Sequence, residues 1–344
     1  MAQSKNKTGL RHVGDVVRVK SASEIARTLN DDGTLDGLPF MPEMLRFSGG
    51  SFVVRRLAHK TCDTITFTGM RRMDDAIHLD GPRCDGSSHG GCETGCLLFW
   101  KEAWLEPVES PENGPPEMDA PRSVDIASPL ADRFTRSARL HGRSAESDSY
   151  SCQATELLNA TSPLPWWHPG QYVRDVRSGN VALGAVLRDI IVLAFNKLQA
   201  FTARFLPRAL RIRGGRRYPL LAGPHRRTPL IRLGLEPGQH VKVRSRKEIT
   251  GSLDADGRNR GLAFDADMLQ YCGRSARVTR RVKKIIEEST GRLKTIHSDC
   301  LVLDDIACSG RYHRLCPRGS YFFWREAWLH TTDGSSSDSQ IATG

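Results

Sequence analysis

Long apolar runs are missing from this chain: nowhere do eighteen uninterrupted apolar residues occur, so no segment reads as a bilayer-spanning helix. Aromatic residues are few, at 7%, and mean hydropathy is -0.42, which implies that some segments stay outside any packed core. The opening MAQSKNKTGLRH has basic residues but neither an apolar stretch nor a small-residue cleavage site, so no secretory signal is expected and a reducing cytoplasm is. No Walker loop, dinucleotide fingerprint, G-x-S-x-G elbow or HExxH helix occurs, and none of the chemistries those motifs mark is indicated. Acidic residues nearly vanish between Ile190 and Pro237, where Glu236 is the only one.

What the sequence does contain, it contains twice. The stretch CDGSSHGGCETGCLLFWKEAWL at residues 84–105 returns as CSGRYHRLCPRGSYFFWREAWL at 308–329, and a constant offset of 224 relates the copies from Gly14/Gly238 to Leu105/Leu329. Matches include Val17/Val241, Val19/Val243, Ser21/Ser245, Glu24/Glu248, Phe40/Phe264 and Met44/Met268, with a two-residue slip confined to the turn at Thr68-Gly69 and Thr290-Gly291. Each module therefore has the length of an ordinary small domain.

Within a module the pattern is that of a β-rich unit. Alternating valines predict opening strands over 15–20 and 239–244, and further strands are expected over 51–57 and 76–80, with counterparts at 275–282 and 300–304. Ser21 with Glu24, and Ser245 with Glu248, fit a capping box that starts a short helix, and Asp32-Gly33 and Asp256-Gly257 signal turns. Over 97–105 a helical turn would group Leu97, Trp100 and Trp104 on one side, as core residues.

Nine cysteines, an odd number, cannot all pair within one chain, and in a reducing compartment Cys–His clusters point to metal. The first module offers Cys84, His89, Cys92 and Cys96; the second offers Cys308, His313 and Cys316, with Ser320 in place of Cys96. Because Cys272 stands where the first module has Ser48, the expectation is that positions 48 and 96, like 272 and 320, share one corner, giving each module a Cys3His site closed around structural zinc. Buried free cysteines with surface histidines are the bland alternative. His59 and Cys62, with His78 further on, belong to the first module alone; they form either an activated thiol site or an additional open metal site, which makes His59 and Cys62 the catalytic candidates, or an ordinary buried cysteine with two solvent-facing histidines.

Residues 108–150, rich in Pro, Glu, Ser, Asp and Arg, read as a disordered linker, and 333–344 as a disordered tail. Between 151 and 233 lies a helical, basic connecting segment. Order is expected to resume near 155–159, Trp166 and Trp167 are expected to dock on a module, and residues 183–206 form the clearest helical pattern, ended by Pro207. An apolar helix followed by Arg204, Arg208, Arg211, Arg213, Arg216 and Arg217 suits either a helix packed between the modules or an anchor on an anionic membrane. The net charge of +11 likewise favours polyanionic partners, nucleic acid among them.

The strings GLPFMPEML, AHKTCDT, RCDGSSHGGC and LLFWKEAWL, then NRGLAFDADMLQYCGR and FFWREAWL, resemble a group of bacterial hypothetical proteins built from tandem Cys/His-rich modules. That resemblance implies the repeat and no activity. At fold level each module is similar to a small SH3-like barrel. The expected fold is α+β: module 1–107, linker 108–150, connector 151–233, module 234–332 and tail 333–344. The expected function is non-enzymatic binding or scaffolding by zinc-stabilised modules with a basic face toward a protein or polyanion. A metal- or thiol-dependent enzyme working through the first module, and a protein attached peripherally to a membrane, are the alternatives.

Overall fold

The computed structural model describes residues 12–108, 134 and 149–332. It is an α+β protein with several small antiparallel sheets. In the first module the strands run across the sheet in the order Trp100–Lys101, Ala76–Leu79, Ser51–Leu57, Val16–Val19 and Leu105–Pro107. The second repeats it with Leu301–Leu303, Ser275–Arg281, His240–Val243 and Leu329–Thr331, and a bridge between Leu301 and Trp324 marks the place of the fifth strand.

Even the register is duplicated. Val16 faces Val53 as His240 faces Arg277, Val17 faces Pro107 as Val241 faces Thr331, and both long strands carry an irregularity at the same place, between Val54 and Arg56 and between Val278 and Arg280. The period-two valines account for this, since Val17, Val19, Val241 and Val243 all point inward and a one-residue slip would expose them. Both capping boxes form, Ser21 and Ser245 each accepting the amide of the Glu three residues on, and they start the helices Ala22–Ala26 and Arg246–Gly251.

Residues 97–105 are not one helical turn. A short strand, Trp100–Lys101, leads into a 3-10 turn, Glu102–Trp104, and then the strand Leu105–Pro107, because Trp100 and Trp104 must both reach the core from opposite ends of that kink. Phe40 meets Trp104 edge-on at 5.1 Å and Trp100 at 6.2 Å; Phe264 meets Trp328 and Trp324 at the same 5.1 and 6.2 Å. All four tryptophans are fully buried.

Domain edges differ from the sequence reading. Cys152, Ala154, Leu157 and Ala160 complete the first core, and Ser162–Leu164 adds a strand to Met70–Arg72, so the start of the connector belongs to the first module. At the connector's other end Leu221 joins the second core, with Ile231 and Leu233 packed against it. Of the expected linker, residues 108, 134, 149 and 150 are described, and Phe134 is fully buried against Phe40; the rest of 108–150, like the tail 333–344, lies outside the described residues. Trp166 and Trp167 pack edge-on against each other instead of docking into a module, leaving Trp167 69% exposed.

The modules interlock across an approximate two-fold relation. Thr64 donates to Glu288, residues that occupy matching positions in the two copies. A Cβ on Gly95 would stand 3.2 Å from Tyr321, and one on the matching Gly319 would stand 3.4 Å from Leu97, the match of Tyr321. The hairpin of Lys60–Cys62 and Met70–Arg72 reaches the Cys/His loop of the second module, while the hairpin of Lys284–Ile286 and Leu293–Thr295 reaches that of the first, where Glu93 and Lys284 exchange hydrogen bonds.

Candidate metal centre

Each Cys/His loop is built by the same few backbone bonds. The amide of Cys84 donates to the carbonyl of Cys96, and that of Cys308 to Ser320, fixing the two ends of the loop. His89 and Gly91 donate to the carbonyl of Gly86, and His313 and Leu315 to that of Gly310, which turns the histidine back toward the first cysteine. Gly86 and Gly310 adopt φ of 73° and 80°, and a Cβ there would collide at 2.1 and 2.3 Å with the carbonyl oxygens of Cys92 and Cys316. Only glycine permits so tight a return.

In the first module this geometry places the Cys84 thiol 3.3 Å from His89 Nε2 and 3.3 Å from Glu43 Oε1. Glu43 comes from the 3-10 helix Pro42–Phe47, and with Cys84 and His89 it makes a buried group whose ligand atoms all lie within 4.8 Å of one another, able to hold a metal ion. Ser88 Oγ lies 3.1 Å from His89 Nδ1 and steadies the ring, as outer partners of metal-binding histidines do. Cys92, Cys96 and Cys152 line the same cavity, together with Ile286, Glu288 and Arg318 from the second module.

The cavity is hostile to charge until a cation enters it. Burial, then Glu43 and Cys96, push the Cys84 thiol far above its ordinary range; burial pushes Cys96 up to about 11 and Cys152 up to about 12. Burial also lowers the basicity of His89, against the opposing pull of Glu43 and Asp85. A bound cation reverses this balance for the thiols, which is how such sites couple metal uptake to proton release.

The second cluster is more open. His313 has a side-chain exposure of 35% against 2% for His89. Burial opposes its charge, but a 3.0 Å contact from Nε2 to Asp265 prevails and raises its basicity above the usual 6.5. Asp267, the match of Glu43, accepts from the amide and hydroxyl of Ser309. Cys308, His313 and Cys316 share a cavity, and the thiol that joins them is Cys62, from the first module's hairpin: its amide lies 3.2 Å from Cys316 Sγ. Although burial resists ionisation, the bonds from Cys62 draw Cys316 below its ordinary 9.0, while the Cys62 thiol is held well above it.

The expected corner formed by positions 272 and 320 is not assembled. Cys272 ends the 3-10 helix Ala266–Tyr271, does not line that cavity, and has Arg246 as the charge acting on its thiol; Ser320 does line the cavity. Likewise Cys96 faces the first cavity and Ser48 does not, its hydroxyl being buried without a partner. Residues 48 and 272 are the C-caps of the 3-10 helices Pro42–Phe47 and Ala266–Tyr271, and it is the first turn of each helix, with Glu43 and Asp267, that meets the loop.

His59 and Cys62 do not form a pair either. They look into different cavities, His59 toward Arg72, Gln171 and Arg174 and Cys62 toward Cys316. Burial lowers His59 to about 3, and its Nε2 lies 3.3 Å from Asp175; His78, lowered to about 3 by burial, has Nδ1 2.9 Å from the carbonyl of Leu98. Glu43 escaped the sequence reading, although an acid at both 43 and 267 was a visible signal; Cys152 lies outside the repeat and carried none. No family model, no curated protein and no solved structure matches this chain.

Proposed function

We propose that this chain is a non-enzymatic tandem binding or scaffold protein whose two modules are stabilised by zinc. The observation that carries the reading is the buried Glu43, Cys84 and His89 group with Cys92 and Cys96 lining the same cavity. Thiolates and imidazole suit a borderline-soft ion, and a shell closed by protein leaves no position for a substrate. The strand order, with the 3-10 turn Glu102–Trp104 before the last strand and a long excursion after the first, supports an SH3-like reading of each module. Exposed Arg204, Arg213, Arg216, Arg217, Arg226 and Arg227 supply a basic face for a polyanionic or acidic protein partner. Elemental analysis of protein purified without added metal tests the reading. Zinc that is lost together with stability in Cys84→Ser supports it, and a fully folded, metal-free chain refutes it.

A second reading, attachment to an anionic membrane, has its own observation. The helix Leu183–Thr202 buries Val186, Asp189 and Gln199 while Leu183, Leu187, Ile190, Ile191, Leu198 and Phe201 are exposed. Arg204, Arg213, Arg216 and Arg217 follow it, and no helix among the described residues is long and apolar enough to cross a bilayer. An apolar face beside clustered arginines suits the interface of anionic lipid. Sedimentation with vesicles containing phosphatidylserine should carry the protein down, neutral vesicles should not, and Ile191→Glu with Phe201→Glu should abolish the effect.

A further inference from the structure

The two Cys/His loops are each one thiol away from being alike, and the structure accounts for the difference through the crossing of the hairpins. In the first loop Cys84, His89, Cys92 and Cys96 line one cavity, and the second module contributes Ile286 to its wall. In the second loop Ser320 replaces Cys96, and the residue arriving from the first module, at the position matching Ile286, is Cys62. Where one cavity has Cys and Ile, the other has Ser and Cys. Cys62 thus gives the second cavity the three thiols and one imidazole that the first loop supplies by itself, the first cavity having Cys152 as a further thiol.

We infer that Cys62, Cys308, His313 and Cys316 form a second zinc site, one that fastens the two modules together. Cys62 is placed for it on two counts: its amide is 3.2 Å from Cys316 Sγ, and its own sulfur is 4.0 Å from the carbonyl of His313. The histidine is braced as metal-binding imidazoles are, with Asp265 3.0 Å from Nε2, which directs Nδ1 to the ion. The ligand atoms are more widely spread than those of Glu43, Cys84 and His89, so zinc closes the set by rotation of the Cys308 and His313 side chains about their staggered rotamers. Arg318, buried beside the cavity and bonded to Glu288 and Thr64, offsets the negative charge that three thiolates bring. The protons displaced from the Cys62, Cys308 and Cys316 thiols pass to the buffer as the ion binds.

This rests on the metal-stabilised reading above, and the test separates the two. The full chain, stripped and reloaded with zinc alone, should hold about two ions by elemental analysis. Cys62→Ser should hold about one with the loss of the second, while Cys272→Ser keeps both. Because a variant at the interface can also fail to fold, alkylation of the unmodified chain provides an independent readout: zinc should slow labelling of Cys62 at least tenfold, and Cys272 should label alike with and without it. Two ions retained in folded Cys62→Ser, equal labelling of Cys62 in both states, or a Cys62–Cys316 disulfide in protein isolated anaerobically overturns the shared site. A wild-type chain holding one ion, lost in Cys84→Ser but not in Cys62→Ser, overturns it and leaves the first-module reading standing; a chain binding no zinc removes both.

Discussion

The ion pair between Lys60 and Asp175 is where one side chain decides most. Both are fully buried, with Nζ 2.5 Å from Oδ2, and Asn180 Nδ2 lies 3.4 Å from Oδ1. Burial holds the Asp175 carboxyl above its ordinary 3.8 even though Lys60 pulls the other way, so the lysine is what keeps the charge tolerable. Lys60→Met should therefore cost about 3–5 kcal/mol in denaturant unfolding at neutral pH, and adding Asp175→Asn should recover part of it. The sign with pH follows. Since the folded state favours the protonated acid, the penalty in Lys60→Met should be full above the raised folded pKa of Asp175, shrink as pH falls through that pKa, and be gone below the ordinary 3.8. Cysteine and histidine were readable from sequence at this scale as a ligand pool, because residue type and spacing mark that chemistry. Which of them meet was not readable: Cys62 was paired with His59 by proximity in the chain, yet the backbone aims the two into separate cavities.

Elements fared better. The opening strands, the long strand Ser51–Leu57, both capping boxes and the helix Leu183–Thr202 follow from patterns of period two, period 3.6 and cap chemistry that need no tertiary context. The segments that defied the pattern are those whose conformation is set by packing, such as the kink at Glu102–Trp104 between two buried tryptophans. The cap of Arg246–Gly251 gives a prediction at this scale. The Ser245 hydroxyl and amide, and then His330, lower Glu248 from 4.5 to about 2. A carboxylate depressed in this way stabilises the fold above its unfolded pKa and loses that contribution as pH falls through the folded one. Ser245→Ala should therefore lower thermal stability by about 1 kcal/mol at pH 7, and melts of the two proteins should converge between about pH 4.5 and pH 2.

For the whole molecule, the repeat was legible and the interlock was not, since a repeat in sequence says nothing of how its copies face each other. The contrast between the two clusters has a kinetic consequence. If both clusters hold zinc as proposed, then with His89 at 2% exposure and His313 at 35% a chelator should strip the second cluster first. A time course in EDTA should show two phases, the faster one accompanied by rising hydrogen exchange in Lys60–Cys62, and a single phase would contradict the difference in access.

The crossing of the hairpins also bears on ancestry. Were two separate, identical chains to meet through this interface, every position would appear on both sides, and the match of Cys62 could not be Ile286. Covalent fusion lifts that constraint: one half can surrender a thiol that the other still supplies. The pairs Cys62/Ile286 and Cys96/Ser320 both keep the thiol in the first half, so the second half expressed alone lacks the parts to complete either thiol set, whereas a first half meeting its own copy would still present Cys62 and Cys96 on both sides.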